Sequence, residues 1–298
     1  MLNTLIARTL PMVPKSVVHF AAKKYVAGDT LEDAVRLVRS LNEKLITGTM
    51  DFLGEFVTDR KQAEFAAHMG HEILEAIHAH KLRSGLSVKL TCLGLDIDDE
   101  FCYENLRSLV FKAKELDLFV RVDMENSPYT TRTLALYRRI LEEGFDNTGV
   151  VLQAYMRRSE QDIKSLAGLK APVRLCKGIY REDPAIAFKD REEIRENYKR
   201  LLTLLFENGM HAAIATHDDP LLDFAREYIA KNSISKDRYE FQMLLGVREN
   251  KRDELVREGH KLRTYVPFGS DWYGYSIRRL KENPEVAGHI MKAFLKGE

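Results

Sequence analysis

Between Gly48 and Gly269, short apolar, β-branched runs alternate eight times with longer segments of helical periodicity. The runs are GTMDFLGEF, LSVKLTCLG, FVRVDMEN, GVVLQAY, VRLCKGIY, HAAIATHD, EFQMLLGV and LRTYVPFG. Helical patterns over 59–82, 98–117, 129–143, 159–169, 190–208, 220–232 and 250–258 separate them, with Gly144, Gly209 and Gly259 marking helix exits. Eight strand–helix units over roughly 250 residues predict a TIM-type (β/α)8 barrel of the α/β class. An open doubly wound sheet is the alternative, but its Gly-rich dinucleotide fingerprint is absent. Ahead of the first run, DTLEDAVRLVRSLNEKLI predicts an amphipathic helix capped by Asp29 or Thr30. No Pro/Gly-rich linker or low-complexity tract divides the chain. The expectation is one domain, with an N-terminal helical arm over 1–44 and the barrel over 45–298.

Composition narrows the function classes. The 298 residues are 45% hydrophobic and 31% charged, with a net charge of +1. So small a basic excess argues against a dedicated nucleic-acid binder. Cys92, Cys102 and Cys176 are odd in number and lack metal-ligand spacing, which fits a reduced intracellular compartment with no disulfide framework and no zinc site. No run approaches the length of a transmembrane helix. Residues 1–28 carry Arg8, Lys15, Lys23 and Lys24 but no acidic residue. They read as two short packed helices divided by Pro11 and Pro14, or as a basic amphipathic segment that lies on an anionic membrane surface or resembles a transit peptide.

In such a barrel, chemistry belongs at the C-terminal ends of the strands. Those ends supply, in order, Glu55, Lys89, Asp123, Gln153, Arg174 with Lys177 and Tyr180, Thr216 with His217 and Asp218, Gln242, and Tyr265. Apolar neighbours place Lys89 and Asp123 in strand interiors, where a charge is expensive unless paired, and adjacent strands let them pair with each other. Each residue also has a plain structural reading: a buried ion pair, a solvated strand end, a satisfied core histidine, or a glutamate neutralising Arg174. Eight polar strand ends together describe an electropositive, hydrogen-bonding cavity for a large anionic ligand and a small carboxylate-bearing substrate.

The stretch DWYGYSIRRLKENPE adds a ninth element. Helical spacing puts Tyr275, Arg278, Arg279 and Glu282 within an arc of about 100°, opposite Tyr273, Ile277 and Leu280. The face is either a solvated one with an Arg278–Glu282 pair or an anion clamp.

The motifs VKL, VDME, QAY, RLCKGIY, ATHD, FQMLLG, YVPFG and YGYSIRRLKEN, in this order, resemble those of the proline dehydrogenase family in its short monofunctional form. The resemblance runs from near residue 45 to residue 283. It implies a distorted barrel holding FAD at the strand C-termini, with the last helix over the barrel mouth. It also implies oxidation of L-proline to Δ1-pyrroline-5-carboxylate, the first step of proline catabolism, by hydride transfer from proline C5 to flavin N5. Carried over by position, Arg278, Arg279 and Lys89 would hold the proline carboxylate, with Asp123 orienting Lys89. Tyr180, Leu244, Tyr265 and Tyr275 would surround the ring. Gln153 would bond the flavin pyrimidine edge, Arg174 would approach N5 and O4, and Cys176 would act through its backbone N–H. Thr216, His217 and Glu282 would lie near the ribityl and phosphate region, and Lys177 would join the cofactor contacts. Lys189 and Arg191 would contact the pyrophosphate from a helix N-terminus. Glu55 would pair with Arg174 and close the site when substrate is bound. A membrane quinone would accept the electrons, with the protein cytoplasmic and touching the inner membrane face through its N-terminal arm. Two readings compete: a Schiff-base aldolase with Lys89 as nucleophile, and a non-catalytic barrel used as a binding module.

Overall fold

The computed structural model describes residues 23–282, so the basic segment before Lys23 lies outside it. Helix α1 (Leu31–Glu43) opens the described fold. Thr30, not Asp29, is its cap: the Thr30 hydroxyl accepts from the Asp33 N–H at 3.3 Å, and the Asp33 carboxylate accepts from the Thr30 N–H at 3.2 Å. This reciprocal box satisfies two orphan donors at the helix start.

Eight strands follow: β1 (Thr47–Phe52), β2 (Ser84–Val88), β3 (Val120–Val122), β4 (Thr148–Gln153), β5 (Val173–Cys176), β6 (Ala212–Ala215), β7 (Tyr239–Leu244) and β8 (Leu262–Phe268). Each pairs in parallel with the next, and β8 closes on β1. The connecting helices are α2 (Arg60–Ala79), α3 (Asp99–Glu115), α4 (Ser127–Glu142), α5 (Ser159–Ala167), α6 (Arg191–Glu207), α7 (Asp219–Lys231) and α8 (Glu249–Arg257). Asp59, Asp98 and Asp190 cap α2, α3 and α6 through their side chains, and Gly144, Gly209 and Gly259 leave their helices with positive φ. The expected (β/α)8 barrel is the observed one.

The strands are shorter than the apolar runs that announce them. β2 stops at Val88 and β3 at Val122, so Lys89 and Asp123 lie one residue past their strands instead of inside them. That places both at the rim, where ligands reach.

Pleating sends successive side chains to opposite faces. Outward positions such as Leu86, Val122 and Leu152 meet Ile73, Leu106 and Ile163 of the helices in one continuous apolar core. Each such side chain contributes roughly 1.5–3 kcal/mol on burial. The alternate positions, facing the barrel axis, include Asp51, Ser87, Arg121, Arg174, Glu240 and Gln242, all buried. The barrel interior is therefore polar.

Helix α1 packs against both β1 and β8. It sits where the eighth helix of a regular barrel would lie. The last helix, α9 (Trp272–Glu282), follows β8 without taking that position.

Candidate active site

The rim charges form two buried pairs, and neither is the one expected from sequence. Lys89 Nζ donates to both Asp51 carboxylate oxygens, at 2.9 and 2.8 Å, and does not pair with Asp123. Asp123 instead accepts from Arg174 Nη1 at 2.5 Å and from the Tyr265 hydroxyl at 3.1 Å. The physical reason is register. Asp51 is level with Ser87 on β2, one pleat below Lys89, so the long lysine stem folds down onto it. Asp123 is level with Val151 and Arg174 across β4, so the guanidinium reaches it over a short side chain. Burial opposes the charge on Lys89, but Asp51 and, more distantly, Asp123 outweigh it and hold the ammonium protonated.

Arg174 is engaged on its other side as well. Its Nε donates to Gln242 Oε1 at 2.7 Å, and Gln242 Nε2 donates to Glu240 at 2.5 Å. Glu240 also accepts from Arg263 Nε at 2.8 Å. Burial raises the Glu240 carboxyl, yet Arg263 and Gln242 bring it down to about 2, so it stays ionised. A file of bonded groups therefore runs from the barrel floor to Arg174 at the rim.

Glu55 does not pair with Arg174, whose Nε and Nη1 are turned to Gln242 and Asp123. It accepts from Arg278, with Nη2–Oε1 at 2.7 Å and Nη1–Oε2 at 3.3 Å. This two-pronged bond joins the β1–α2 loop to α9. Arg279 reaches the other way: its guanidinium lies over the Tyr275 ring at 5.4 Å and near enough to His217, beyond β6, to disfavour imidazolium. Contacts to both the β1 and β6 sides put α9 over the barrel mouth. Tyr275 and Arg279 are buried there, and the Tyr275 and Tyr265 phenols are close enough to interact. Arg278 bonds outside its helix, so the solvated-face reading of α9 fails. The side chain of Glu282 lies outside the described residues.

Tyr180 stands among Glu55, Glu125, Lys89 and Arg278, and burial raises its hydroxyl. It reaches that position through Gly178, which has φ +105°, and a Cβ there would meet the Tyr155 ring at 2.2 Å. Leu244 ends β7 level with Tyr265. Its N–H donates to His217 Nε2 at 3.0 Å, so that nitrogen carries no proton. Burial, then Arg279, Arg248 and Lys177, push His217 down to about 3.

On the β5–β6 side a cationic cluster gathers around one buried carboxylate. Asp218 accepts from Lys177 at 2.9 Å and Arg195 at 2.7 Å, with Arg191 at 3.8 Å. Burial raises Asp218, but bonds from Arg195 and Lys177 bring it down to about 2. Arg195 is shared with Glu192, and Asp190, Glu192 and Glu193 open α6, so the cluster beside that helix start is nearly balanced in charge. Lys189 is not part of it, because its ammonium donates to the Glu182 carbonyl. Thr216 Oγ1 accepts from the Asp218 N–H at 3.2 Å, and Gln153 Nε2 donates to the Glu125 carbonyl at 2.9 Å. Cys176 ends β5 level with Gln153, and burial pushes its thiol up to about 11.

Several of these groups escaped the sequence reading. Asp51 carries the same signal as Asp123, a lone acid between apolar neighbours, but Glu55 drew attention as the polar end of that run. Arg195 shows only as the next turn after Arg191. Glu125, fully buried and bonded to the Thr91 hydroxyl and N–H, is pushed up to about 7 by burial.

Comparison with known proteins shows the family. A family model described as proline dehydrogenase matches residues 34–292. Proline dehydrogenase 1 of Bacillus subtilis subsp. natto is 40% identical over 275 residues, covering 92% of this chain and 91% of that protein. The proline dehydrogenase of Deinococcus radiodurans is 36% identical over 281 residues, covering 93% and 90%. Among solved structures, proline utilization A (PutA) from Bdellovibrio bacteriovorus, inactivated by N-propargylglycine, is similar with a TM-score of 0.83 and 28% identity, over 89% of this chain and 33% of that one. With its closed barrel, charged rim and capping last helix, the chain belongs to the proline dehydrogenase family.

Proposed function

We propose that this chain oxidises L-proline to Δ1-pyrroline-5-carboxylate with FAD as its cofactor. The family assignment carries proline oxidation; the flavin and the residue roles are our reading of the site. The observation that supports them best is the meeting of Lys89, Arg278 and Arg279 with Tyr265, Tyr275 and Leu244 beneath α9. Cations and an apolar wall at one mouth suit a small cyclic amino acid with a carboxylate.

The residues present fit a flavin dinucleotide. Lys177, Arg191 and Arg195, the cations gathered at Asp218, would turn to phosphate oxygens of the cofactor. Thr216 and the His217 Nδ1 side would serve the ribityl region, and Glu282 is added to them by the family resemblance alone. Gln153 would meet the pyrimidine edge, and the Cys176 backbone and Arg174 would face the redox-active ring. FAD, when bound, supplies the hydride acceptor. Arg174, held by Asp123 and Gln242, keeps a fixed positive charge where negative charge develops on reduction.

The chain's own work is binding and orientation. The substrate carboxylate would compete with Glu55 for Arg278 and draw on Arg279 and Lys89. Lys89 cannot take a proton from the substrate amine, because Asp51 and Asp123 hold it charged. The amine therefore enters as its free base, and activity rises with pH. The same held charge argues against a Schiff-base role for Lys89. A membrane quinone is the electron acceptor we propose, with the basic residues 1–28 suited to an anionic surface.

The test is a spectrum. The purified protein should show flavin bands that bleach on anaerobic addition of L-proline. Flavin that stays oxidised would overturn the substrate, and a colourless protein that takes up no FAD would overturn the cofactor.

A further inference from the structure

The β1–α2 loop carries Glu55, and the way it is held is unusual. Phe56 has φ +57°, a left-handed backbone that a bulky residue adopts at a cost. The residue is 43% exposed, its ring beside that of Tyr129 with centres 5.8 Å apart, so burial does not account for the strain. Behind the loop lies a cavity of about 270 Å³, lined in part by Leu53, Gly54, Val57, Phe65 and Cys92. Packing on that side of the loop is therefore incomplete.

Hydrogen bonds hold it instead, and those to the Phe56 and Val57 amides come from one residue. The Phe56 N–H donates to Thr91 Oγ1 at 3.0 Å, and the Val57 N–H donates to the Thr91 carbonyl at 3.1 Å. Thr91 is fully buried just past β2 and is held in turn by Glu125 past β3. The Thr91 N–H donates to Glu125 Oε2 at 3.2 Å, and the Thr91 hydroxyl donates to Oε1 at 2.5 Å. With its proton committed to Glu125, the hydroxyl has a lone pair aimed at the Phe56 N–H. The chain of contacts is then Glu125, Thr91, Phe56, Glu55 and Arg278.

We propose that Thr91 and Glu125 are positioning residues: together they lock the strained Phe56 backbone, aim Glu55 at Arg278, and so preset the arginine that receives the substrate carboxylate. The substrate half of this rests on the reading given under Proposed function; the loop half does not.

The experiment reads both halves. Amide hydrogen exchange follows Phe56 and Val57, and anaerobic flavin bleaching follows L-proline affinity, in the FAD-loaded full chain. Thr91→Val should speed exchange at both amides at least tenfold and weaken proline binding about tenfold, roughly what loss of one charge-assisted contact gives. Thr91→Ser, which keeps the hydroxyl, should restore both. Glu125→Gln keeps one acceptor and should fall between, which preserves the test if Thr91→Val folds poorly. The Thr91→Val effect on proline should vanish in a Glu55→Gln background, because both act through the same contact. An equal effect with and without Glu55 would overturn the proposal, as would unchanged exchange at Phe56 and Val57. If proline bleaches no variant, the substrate reading has failed, and the exchange data alone decide whether Thr91 and Glu125 hold the loop.

Discussion

Arg174 and Gln242 meet in a 2.7 Å hydrogen bond in which the guanidinium Nε donates to the carboxamide oxygen. Because Glu240 accepts from the other end of the same amide, the carboxamide can face only one way. Gln242→Leu would leave the Arg174 Nε and a Glu240 bond unmet in a buried site, costing about 1–3 kcal/mol. Thermal unfolding should register that loss. Turnover should fall too, while proline affinity, set mainly by α9, should change little.

The two α9 arginines should separate substrate from cofactor. Arg278→Met or Arg279→Met is expected to weaken L-proline binding about 10- to 100-fold, the range for losing a charged hydrogen bond. FAD content should hardly change. A proline titration by flavin absorbance, beside the flavin-to-protein ratio, checks both; equal loss of the two would mean these arginines serve the cofactor.

The Lys89–Asp51 pair offers a double-mutant cycle. Removing either partner strands a buried charge, so Lys89→Met or Asp51→Asn alone should cost about 3–5 kcal/mol. The double variant should recover most of that stability in urea unfolding, since no charge remains without its counter-ion. It should not recover proline affinity, because the positive charge is still missing.

Two buried groups should give stability opposite slopes against pH. His217 stays neutral when folded, its value lowered from 6.5 to about 3. Its contribution is present above 6.5 and is lost as pH falls toward 3, with a slope of at most about 1.4 kcal/mol per pH unit. Glu125 is raised from 4.5 to about 7, so its contribution is present below 4.5 and is lost as pH rises through 7. His217→Gln, whose carbonyl can accept the Leu244 N–H, should flatten the acid limb. Glu125→Gln should flatten the limb between 4.5 and 7. Unfolding midpoints measured across pH 3–8 would show whether each limb follows its residue.

The barrel was legible because alternation is a local property: each strand run and each helix period can be read within a dozen residues. The rim chemistry was legible for the same reason, since a lysine in SVKLT or an acid in RVDME stands out against its neighbours. Partnership was not. Whether Asp123 bonds Lys89 or Arg174 depends on how far each strand is staggered around the closed sheet, which no single segment records. The Arg278–Glu55 bond spans nearly the whole chain and exists only because α9 crosses the mouth. Thr91 and Glu125 gave no signal, as a threonine and a second acid after Asp123 look like ordinary loop residues until the fold brings them beneath Phe56.

Helix α1 occupying the berth between β8 and β1 has an architectural consequence for the two ends of the chain. Integrity of the closed sheet is entrusted to an early segment, while the late segment α9 contributes almost nothing to closure. Substitutions in α1 should therefore register as lost protein, and those in α9 as lost selectivity in protein that is otherwise sound. Selection can accordingly reshape the capping helix, and with it the choice of amino acid admitted, without renegotiating the barrel underneath.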